Sequence, residues 1–411
     1  MKLPFVRHHE SNLVKLLDVA AIVFGIGLFI ALTLPNVLNS SAYFDEGYSA
    51  YLAKFDPLTI AGYTALDVHP PLYYSLLHIW QGIVGSSVAQ LRLLSLLLGC
   101  VAIYFGYLIA RRWFGRQASW LAPTLMALSP LFLRYGTSMR MYTLALAIAF
   151  AATYVLLRAV ENKSKKWWTA YGILVAAGMW TNYFIALVWT THLLWLLYEY
   201  RAHEKIMKSW RRAFLLSLVL YLPWLPMLLF RYGEIQVSGF WIKPLSLDTL
   251  VSSITQSLVF RSASDTKAWL AVGVIVLIIA LAFAGHKVYT KLTSDKKPAF
   301  RLVMAMSSLP VILLAIGSLP PLRSSYVYRY VLVASVAGAL LTAIIVTLVK
   351  FKKRDTLLRS LLTALTVVIL GSGALQVVVA GNRNLDTDSE NKLSAVMDRV
   401  HHSGYPATVA V

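Results

Sequence analysis

Long apolar stretches without Asp, Glu, Lys or Arg recur along the whole chain. A helix needs about 20 mostly apolar residues to cross roughly 30 Å of hydrocarbon, and ten stretches approach or exceed that length. They cover residues 19–44, 93–110, 117–133, 141–157, 167–198, 213–230, 268–285, 302–322, 330–349 and 360–382. The pattern predicts a bundle of membrane-spanning helices.

The stretch 167–198 is too long for one span, because its 32 residues would form a helix about 48 Å long. Segment 158–166 before it has four Lys or Arg in nine residues, and segment 201–212 after it has five in twelve. Cytoplasmic loops concentrate Lys and Arg, so both segments are expected on the cytoplasmic side. We therefore predict two short helices that turn near residues 181–183, and eleven spans in all.

The distribution of cations also predicts the orientation. With a cytoplasmic N-terminus, the inner segments hold 25 of the 38 Lys and Arg residues, and the opposite orientation would invert this bias. These segments are 2–15, 111–116, 158–166, 201–212, 287–301 and 350–359. We expect a multi-pass protein of the cell membrane, with its C-terminus outside. The first apolar segment is longer than the roughly 7–15 residues of a signal peptide core, which favours an uncleaved anchor.

Composition excludes several other classes of protein. Of the 411 residues, 58% are hydrophobic and 14% are charged, against about 25% charged in a typical soluble domain. The formal net charge of +20 would suggest nucleic acid in a soluble protein. Here the cations lie in short runs between apolar segments, so we expect no nucleic-acid partner. The lone Cys100 excludes an intramolecular disulfide.

The first outer loop, 43–90, contains two helical patterns. Both have apolar residues at i, i+3, i+4 and i+7, or close to that spacing, and the second is opened by Pro70-Pro71. The patterns consist of Tyr48, Tyr51, Leu52 and Phe55, and of Leu72, Leu76, Ile79 and Ile83. They predict helices that lie along the outer membrane interface.

Four polar residues of this loop have two interpretations each. Asp45 and Glu46, directly after the first span, are either an N-cap and a dipole-compensating acid or a carboxylate site with a general base. Asp67 and His69 are either a capping pair before Pro70-Pro71 or part of an acidic cluster for a divalent cation. The spacing fits no dedicated metal motif.

Five arginines lie at predicted outer ends of spans, against the general cation bias. They are Arg92, Arg134, Arg140, Arg323 and Arg329. Each alone would be explained by contact with lipid phosphate. Together, beside a loop that carries carboxylates, they indicate a site for an anionic group such as a phosphate or pyrophosphate.

Two further segments are expected on the outer side. The long loop 231–267 has a third amphipathic pattern at 247–258, which is either an interface helix or a mobile cover over a substrate opening. The tail 381–411 is polar, then helix-like, and ends in an extended run at 407–411. It is either frayed or the beginning of a soluble domain that continues in a longer natural chain.

Five short motifs follow in order, each at the predicted outer end of a span. They are FDEGY at 44–48, HPPLYY at 69–74, LRLLS at 91–95, SMRMY at 138–142 and YRY at 328–330. Together they resemble motifs of the GT-C glycosyltransferases, in the protein-mannosyltransferase-like superfamily (glycosyltransferase family 39-like), which includes the bacterial lipid A aminoarabinose transferases. The resemblance covers roughly residues 15–380, and its motifs are dense up to residue 142.

The resemblance implies an all-α integral membrane protein, with a GT-C-type bundle of about 11 transmembrane helices formed by residues 1–380 and juxtamembrane helices on the outer face. It also implies a sugar donor linked to polyprenyl phosphate and used at the outer face of the cell membrane. Asp45 matches the family's first acidic residue, which makes it the expected base. It would deprotonate an acceptor hydroxyl that attacks C1 of the sugar with inversion.

Roles for the other residues follow from the same resemblance. Glu46 is the second candidate catalytic residue, and Asp67, His69, Tyr74 and Tyr142 are candidates for binding sugar, acceptor or lipid. Arg140 and Arg329 match positions near the lipid phosphate, and Arg92 and Arg323 are grouped with them. Asp45, Glu46 and His69 are the metal candidates, for Mg²⁺ or Mn²⁺ in members that use a cation.

The chain also differs from the family. It has no insertion as large as the outer-face domain of eukaryotic protein mannosyltransferases, and the acceptor, whether protein, lipid or glycan, stays open. No G-x-G-x-x-G motif opens a helix after a strand and no P-loop is present, which agrees with a lipid-linked donor.

Other classes of function would be expected to leave different patterns in the sequence. A transporter or flippase would be expected to place its charges inside the bundle, whereas here they gather at one predicted surface. A non-catalytic scaffold of the same fold would keep the bundle without the reaction.

Overall fold

The computed structural model describes residues 12–40, 42–67, 69–238, 242, 244–262, 264–349 and 355–380. Within these residues all regular secondary structure is helical, which confirms the all-α prediction. The first ten α-helices are α1 (Asn12–Asn39), α2 (Phe44–Leu52), α3 (Pro57–Ala65), α4 (Leu72–Val84), α5 (Val88–Ile109), α6 (Arg116–Ala127), α7 (Pro130–Gly136), α8 (Tyr142–Asn162), α9 (Lys165–Met179) and α10 (Ala186–Tyr200). They are followed by α11 (Glu204–Tyr221), α12 (Leu225–Ser238), α13 (Leu247–Val259), α14 (Ala268–Lys291), α15 (Lys297–Ile316), α16 (Leu332–Leu348) and α17 (Asp355–Ala380).

Eight helical segments in the described part of the chain are long and apolar enough to span a bilayer, by length and composition. They are Asn12–Asn39, Val88–Phe114, Tyr142–Asn162, Glu204–Phe230, Ala268–Lys291, Lys297–Ile316, Tyr328–Leu348 and Arg359–Val379. The other three predicted spans correspond to shorter helices. The multi-pass membrane class is therefore confirmed, and the count of eleven spans stays a prediction.

One predicted span, 117–133, is divided into two helices. α6 ends at Ala127 and α7 begins at Pro130, with Ser129 in an extended conformation (φ −64°, ψ 118°). The ring of a proline disfavours helical geometry in the residue before it, so the apolar pattern continues while the helix is interrupted.

The predicted turn within 167–198 is confirmed. α9 ends at Met179, a 3-10 turn covers Tyr183–Ile185, and α10 begins at Ala186. Each of the two helices has 15 residues, about 22 Å of rise at 1.5 Å per residue, which is short of a full span.

The first predicted outer loop forms three helices, whereas the sequence indicated two. The additional helix, α3, begins at Pro57 behind an Asp56 N-cap, whose Oδ1 accepts hydrogen bonds from the backbone N–H of Leu58 and Thr59. The capping interpretation of Asp45 is wrong, because the N-cap of α2 is Tyr43. α4 has Pro71 at its N-cap, so Asp67 and His69 do not cap it either.

The helix predicted in the long loop is present as α13, with Ser246 as its N-cap. The tail 381–411, predicted to be either frayed or the beginning of a further domain, lies outside the described residues.

α8 is the centre of the bundle. It packs against α5, α7, α9 and α16, and 16 of its 21 residues are buried. Its many alanines let neighbouring helices approach closely. Beside it, the rings of Phe29 and Phe132 stack with centroids 4.4 Å apart, and a Cβ on Gly136 would lie 2.6 Å from the Phe29 ring. This tight contact between α1 and α7 positions the segment that leads from α7 into α8.

Candidate active site at one end of the bundle

Five segments that are distant in sequence meet at one end of the bundle. Arg92, near the start of α5, donates hydrogen bonds to the carbonyl and hydroxyl oxygens of Ser40, just after α1, at 2.7 and 3.1 Å. Tyr43, the pair Asp67 and His69, the loop 137–141 and the segment 326–331 lie at the same end. We call this the site end.

The N-terminus of α2 separates two adjacent carboxylates. Consecutive residues of a helix are about 100° apart, so Asp45 and Glu46 face different surroundings. Glu46 is completely buried, whereas the Asp45 side chain is 34% exposed. Of the two predicted catalytic carboxylates, Asp45 is the one exposed to the surroundings of the protein.

Glu46 forms a buried ion pair with Arg92. Nε and Nη2 of Arg92 lie 3.0 and 2.5 Å from the two carboxylate oxygens, and both side chains have zero exposure. The backbone N–H groups of Met139 and Tyr43 donate to the same carboxylate at 2.8 and 3.4 Å. Glu46 was predicted as a catalytic residue and Arg92 as a phosphate-binding residue. In the structure their charged groups are buried against each other.

The Asp45 carboxylate lies between two guanidinium groups. Its Oδ2 is 3.9 Å from Nη2 of Arg140 and 4.0 Å from Nη1 of Arg329. Arg140 is 3% exposed, and its Nη1 donates to the Asp45 carbonyl at 3.2 Å and to Oγ of Ser49 at 3.3 Å. Its buried Nε has no hydrogen-bond partner. Two guanidinium groups thus flank one carboxylate.

A compact loop between α7 and α8 delivers Arg140 to this cluster. The Arg140 N–H donates to the Ser138 carbonyl at 2.8 Å, and the Ser138 hydroxyl lies 2.6 Å from the Tyr43 hydroxyl. Met139 between them is bonded to Glu46. The Glu46–Arg92 pair is thus the framework on which Asp45 and Arg140 are held in place.

Asp67 and His69 contact each other beside the cluster, with Oδ2 and Nδ1 3.3 Å apart. Burial lowers the pKa of His69, the hydrogen bond to Asp67 opposes this shift, and the charges of Arg140 and Arg329 lower the pKa further. His69 is therefore neutral at pH 7, available as a hydrogen-bond partner for a sugar or an acceptor.

Tyr74 and Tyr142, the two predicted substrate tyrosines, are buried beside Arg140. The Arg140 guanidinium is 5.9 Å from the centre of the Tyr74 ring. The Tyr74 hydroxyl is buried without a hydrogen-bond partner, and burial raises the pKa of this phenol. Tyr142 begins α8 and packs edge-on against Tyr135, with centroids 4.8 Å apart.

The remaining arginines lie farther out. Arg134 lies over the Tyr43 ring at 5.8 Å, and Arg323 is exposed on the segment between α15 and the 3-10 turn Tyr328–Val331. Of the four predicted phosphate-binding residues, Arg140 and Arg329 are those that the structure places at Asp45.

A feature that the sequence did not indicate is the contribution of the α9–α10 turn. The carbonyl of Trp180 accepts a hydrogen bond from the Leu72 N–H at 3.0 Å, which fixes the start of α4. The Phe184 ring stacks on Tyr330, with centroids 3.7 Å apart and an interplanar angle of 13°. In sequence, Phe184 was one aromatic residue among many in an apolar stretch.

A groove of about 870 Å³ lies between α14 and α15, with α16 along its floor. It begins at Val331, two residues after Arg329, and reaches Tyr289 and Arg301 at the opposite end of the bundle. Its lining is mostly apolar, with a few serine hydroxyls such as that of Ser257.

The predicted metal candidates do not form a three-ligand group. Within the described ranges, no group of three or more His, Cys, Asp or Glu side chains is arranged to hold a metal ion, and Glu46 is occupied by Arg92. A requirement for Mg²⁺ or Mn²⁺ stays a prediction, which transfer assays with and without EDTA would test.

Known proteins share this fold. Residues 68–227 match the family described as dolichyl-phosphate-mannose-protein mannosyltransferase. The structure is similar to ArnT from Cupriavidus metallidurans in the apo state, with a TM-score of 0.59 and 14% identity over 89% of this chain and 66% of that chain. It is also similar to ArnT bound to undecaprenyl phosphate, with a TM-score of 0.59 and 15% identity over 92% and 67% of the two chains.

A third similar structure is the oligosaccharyltransferase of Archaeoglobus fulgidus in the apo form, with a TM-score of 0.60 and 14% identity over 92% of this chain and 57% of that chain. No curated protein sequence matches the chain. This chain thus spans about two thirds or less of these proteins. The similarity establishes the fold, and the predicted resemblance to the GT-C glycosyltransferases is confirmed.

Proposed function

We propose that this chain is a glycosyltransferase that moves a sugar from a polyprenyl-phosphate-linked donor to an acceptor hydroxyl at the outer face of the cell membrane. One observation carries the proposal: a partly exposed carboxylate, Asp45, lies within 4.0 Å of two guanidinium groups, Arg140 and Arg329, at a helix end. A base and two phosphate-binding cations are what this reaction requires in one place.

The reaction is a single displacement at C1. The acceptor hydroxyl gives its proton to Asp45 while its oxygen forms a bond to C1 of the sugar. The bond between C1 and the phosphate oxygen breaks at the same time, and the polyprenyl phosphate leaves with the electron pair. Attack from the side opposite to the phosphate inverts the configuration at C1.

Arg140 and Arg329 stabilise the leaving phosphate in this scheme. Guanidinium groups are well suited to bind phosphate oxygens, and these two lie on either side of Asp45. The unpartnered Nε–H of Arg140 supports this assignment, because a buried donor without an acceptor is unfavourable and a phosphate oxygen would supply one.

The neighbouring residues are assigned to the sugar and the acceptor. Asp67 and neutral His69 offer hydrogen-bonding groups, and Tyr74 offers a hydroxyl that has no partner within the protein. Tyr142 contributes a ring beside them. Glu46 and Arg92 hydrogen-bond backbone groups around the site, and we assign them no direct contact with substrate.

The groove between α14 and α15 supports a lipid-linked donor. It begins two residues from Arg329 and is mostly apolar, so a lipid whose phosphate lies at Arg329 can place its hydrocarbon chain there. The orientation with the site end outside rests on the cation bias of the loops.

The test is transfer by purified protein in lipid nanodiscs, with radiolabelled polyprenyl-phosphate sugars and candidate acceptors. We expect transfer by the wild type, a loss of about 100-fold or more in Asp45→Asn, and wild-type rates in Asp56→Asn. Asp56 is a matched control because it lies in the same loop and caps α3, a role that Asn can also fill.

The outcomes separate the alternatives. Equal transfer by wild type and Asp45→Asn would contradict the assignment of the base. Movement of the labelled lipid across the bilayer without sugar transfer would instead indicate a flippase, and neither activity with any donor would favour a scaffold.

A further inference from the structure

The α9–α10 turn contacts three other segments: the start of α4, the 3-10 turn Leu222–Trp224 and the 3-10 turn that carries Arg329. The carbonyl of Trp180 holds the start of α4 through Leu72. The hydroxyl of Tyr183 accepts a hydrogen bond from Nε1 of Trp224 at 2.9 Å. The third connection is the stack of Phe184 on Tyr330, the residue that follows Arg329 in sequence.

The turn is itself rigidly held. The Asn182 side chain is 5% exposed, and its Oδ1 accepts a hydrogen bond from the Phe184 N–H at 2.8 Å. This bond opens the 3-10 turn that presents the Phe184 ring. Phe184 is therefore fixed by local hydrogen bonding as well as by packing.

Arg329 depends on its neighbour for its position. It lies in a short 3-10 turn, and its guanidinium carbon is 5.5 Å from the centre of the Tyr330 ring. A small cavity of about 30 Å³ lies among Asn182, Phe184, Arg329 and Tyr330. Loss of the Phe184 ring would enlarge this space, and Tyr330 and Arg329 could then move into it.

We propose that Phe184 is a positioning residue: by stacking on Tyr330 it fixes the Arg329 guanidinium that binds the donor phosphate. This inference rests on the proposed function, since it takes Arg329 as a phosphate-binding group. Phe184 itself contacts Tyr330 and not Asp45, so its effect on the substrate is transmitted through the stacked ring.

The test measures binding of undecaprenyl phosphate to the full chain in nanodiscs. We expect Phe184→Leu to weaken binding by about fivefold and Phe184→Tyr to retain wild-type affinity, because the second keeps the stacked ring. The control is Phe214→Leu, which removes another stacked pair, Trp210–Phe214 on α11, and should leave binding unchanged.

A double-mutant cycle distinguishes positioning from general packing. If Phe184 acts through Tyr330, Phe184→Leu has no further effect on binding in the Tyr330→Leu background. Equal affinity of wild type and Phe184→Leu, or an additive loss in the double variant, would overturn the inference. Should Phe184→Leu fail to fold, Phe184→Met takes its place: weakened binding supports the inference, and wild-type affinity overturns it.

The same measurement separates this inference from the proposed function. A wild-type protein that does not bind undecaprenyl phosphate contradicts the lipid-linked donor itself. A wild-type protein that binds, with Phe184→Leu equal to it, contradicts only the role of Phe184.

Discussion

At the scale of single residues, neighbouring side chains of the same type lie in different surroundings. Asp45 and Glu46 are adjacent carboxylates, yet one is open between two arginines and the other is completely buried against Arg92. Tyr73 and Tyr74 form a similar pair. Both are buried, but the Tyr73 hydroxyl lies 2.9 Å from Oγ of Ser95, and the Tyr74 hydroxyl has no partner within the protein.

This difference predicts opposite effects of two matched variants. Tyr74→Phe removes an unsatisfied hydroxyl, so we expect an unchanged or higher melting temperature together with a roughly 3- to 10-fold loss of transfer. Tyr73→Phe breaks an existing hydrogen bond and should cost about 1 kcal/mol of stability while transfer is retained. Thermal unfolding and transfer rates of both proteins check this. A Tyr74→Phe protein with full activity would show that the hydroxyl does not contact substrate.

The lowered pKa of His69 predicts a pH dependence of stability. Folding favours the neutral imidazole, so the pKa of His69 in the folded protein lies below the ordinary histidine value of about 6.5. The contribution to stability is complete above pH 6.5 and is lost as the pH falls toward the folded pKa. Melting temperatures between about pH 7.5 and 5 should fall more steeply for wild type than for His69→Asn. Parallel curves would mean that His69 does not titrate in this way.

At the scale of elements, the site end is held by one buried ion pair. Glu46 lies on α2 and Arg92 on α5, and together they also bind backbone groups after α1 and before α8. The short helices α2 and α3 have nine residues each, too few to be stable alone. Their positions therefore depend on such tertiary contacts.

Removing one partner of this pair should destabilise the protein strongly. Glu46→Gln leaves the Arg92 charge buried without its counterion, which costs about 3–5 kcal/mol. The control is Glu161→Gln, which breaks a pair with Arg112 whose side chains are 36% and 41% exposed and should cost at most about 1 kcal/mol. Thermal unfolding in detergent measures both, and similar melting temperatures would contradict the structural role of Glu46.

At the scale of the whole molecule, the site end and the groove meet at the 3-10 turn Tyr328–Val331 just before α16. Arg329 and Val331 are two residues apart, with the first in the charged cluster and the second in the groove lining. The bundle thus brings a guanidinium group of the charged cluster next to an apolar groove, an arrangement that would suit the proposed lipid-linked donor.

Filling the groove should affect long lipids selectively. A Cβ on Gly338 would be 4.0 Å from the Ser307 Cβ, so Gly338→Leu is accommodated and extends into the groove. Displacement of about two CH₂ groups of the lipid should weaken binding of undecaprenyl phosphate roughly tenfold or more, and a short-chain phosphate should bind as before.

The control for this prediction is Gly371→Leu on α17. A Cβ at Gly371 meets no atom within 4 Å, and this residue does not line the groove. Wild-type affinity of Gly338→Leu for undecaprenyl phosphate would show that the hydrocarbon chain lies elsewhere.

The sequence by itself determined the membrane class, the positions of the helices and the turn at residues 181–183. Spans are readable because a bilayer requires about 20 apolar residues in succession, and charge runs mark their ends. Two local boundaries were missed. Pro130 interrupts a continuous apolar stretch, and α3 follows an N-cap, Asp56, in a segment without a strong apolar stripe.

The tertiary structure alone decided which polar residues are exposed at the site end and which are buried in pairs. Motif order placed Asp45, Glu46, Arg92, Arg140 and Arg329 near one end of the bundle. It could not show that Arg92 is occupied by Glu46, because a pairing across 46 residues depends on how α2 packs on α5. The stack of Phe184 on Tyr330 joins still more distant segments. The local sequence predicts the helix in which a residue lies, whereas the packing of the helices determines which side chains it contacts.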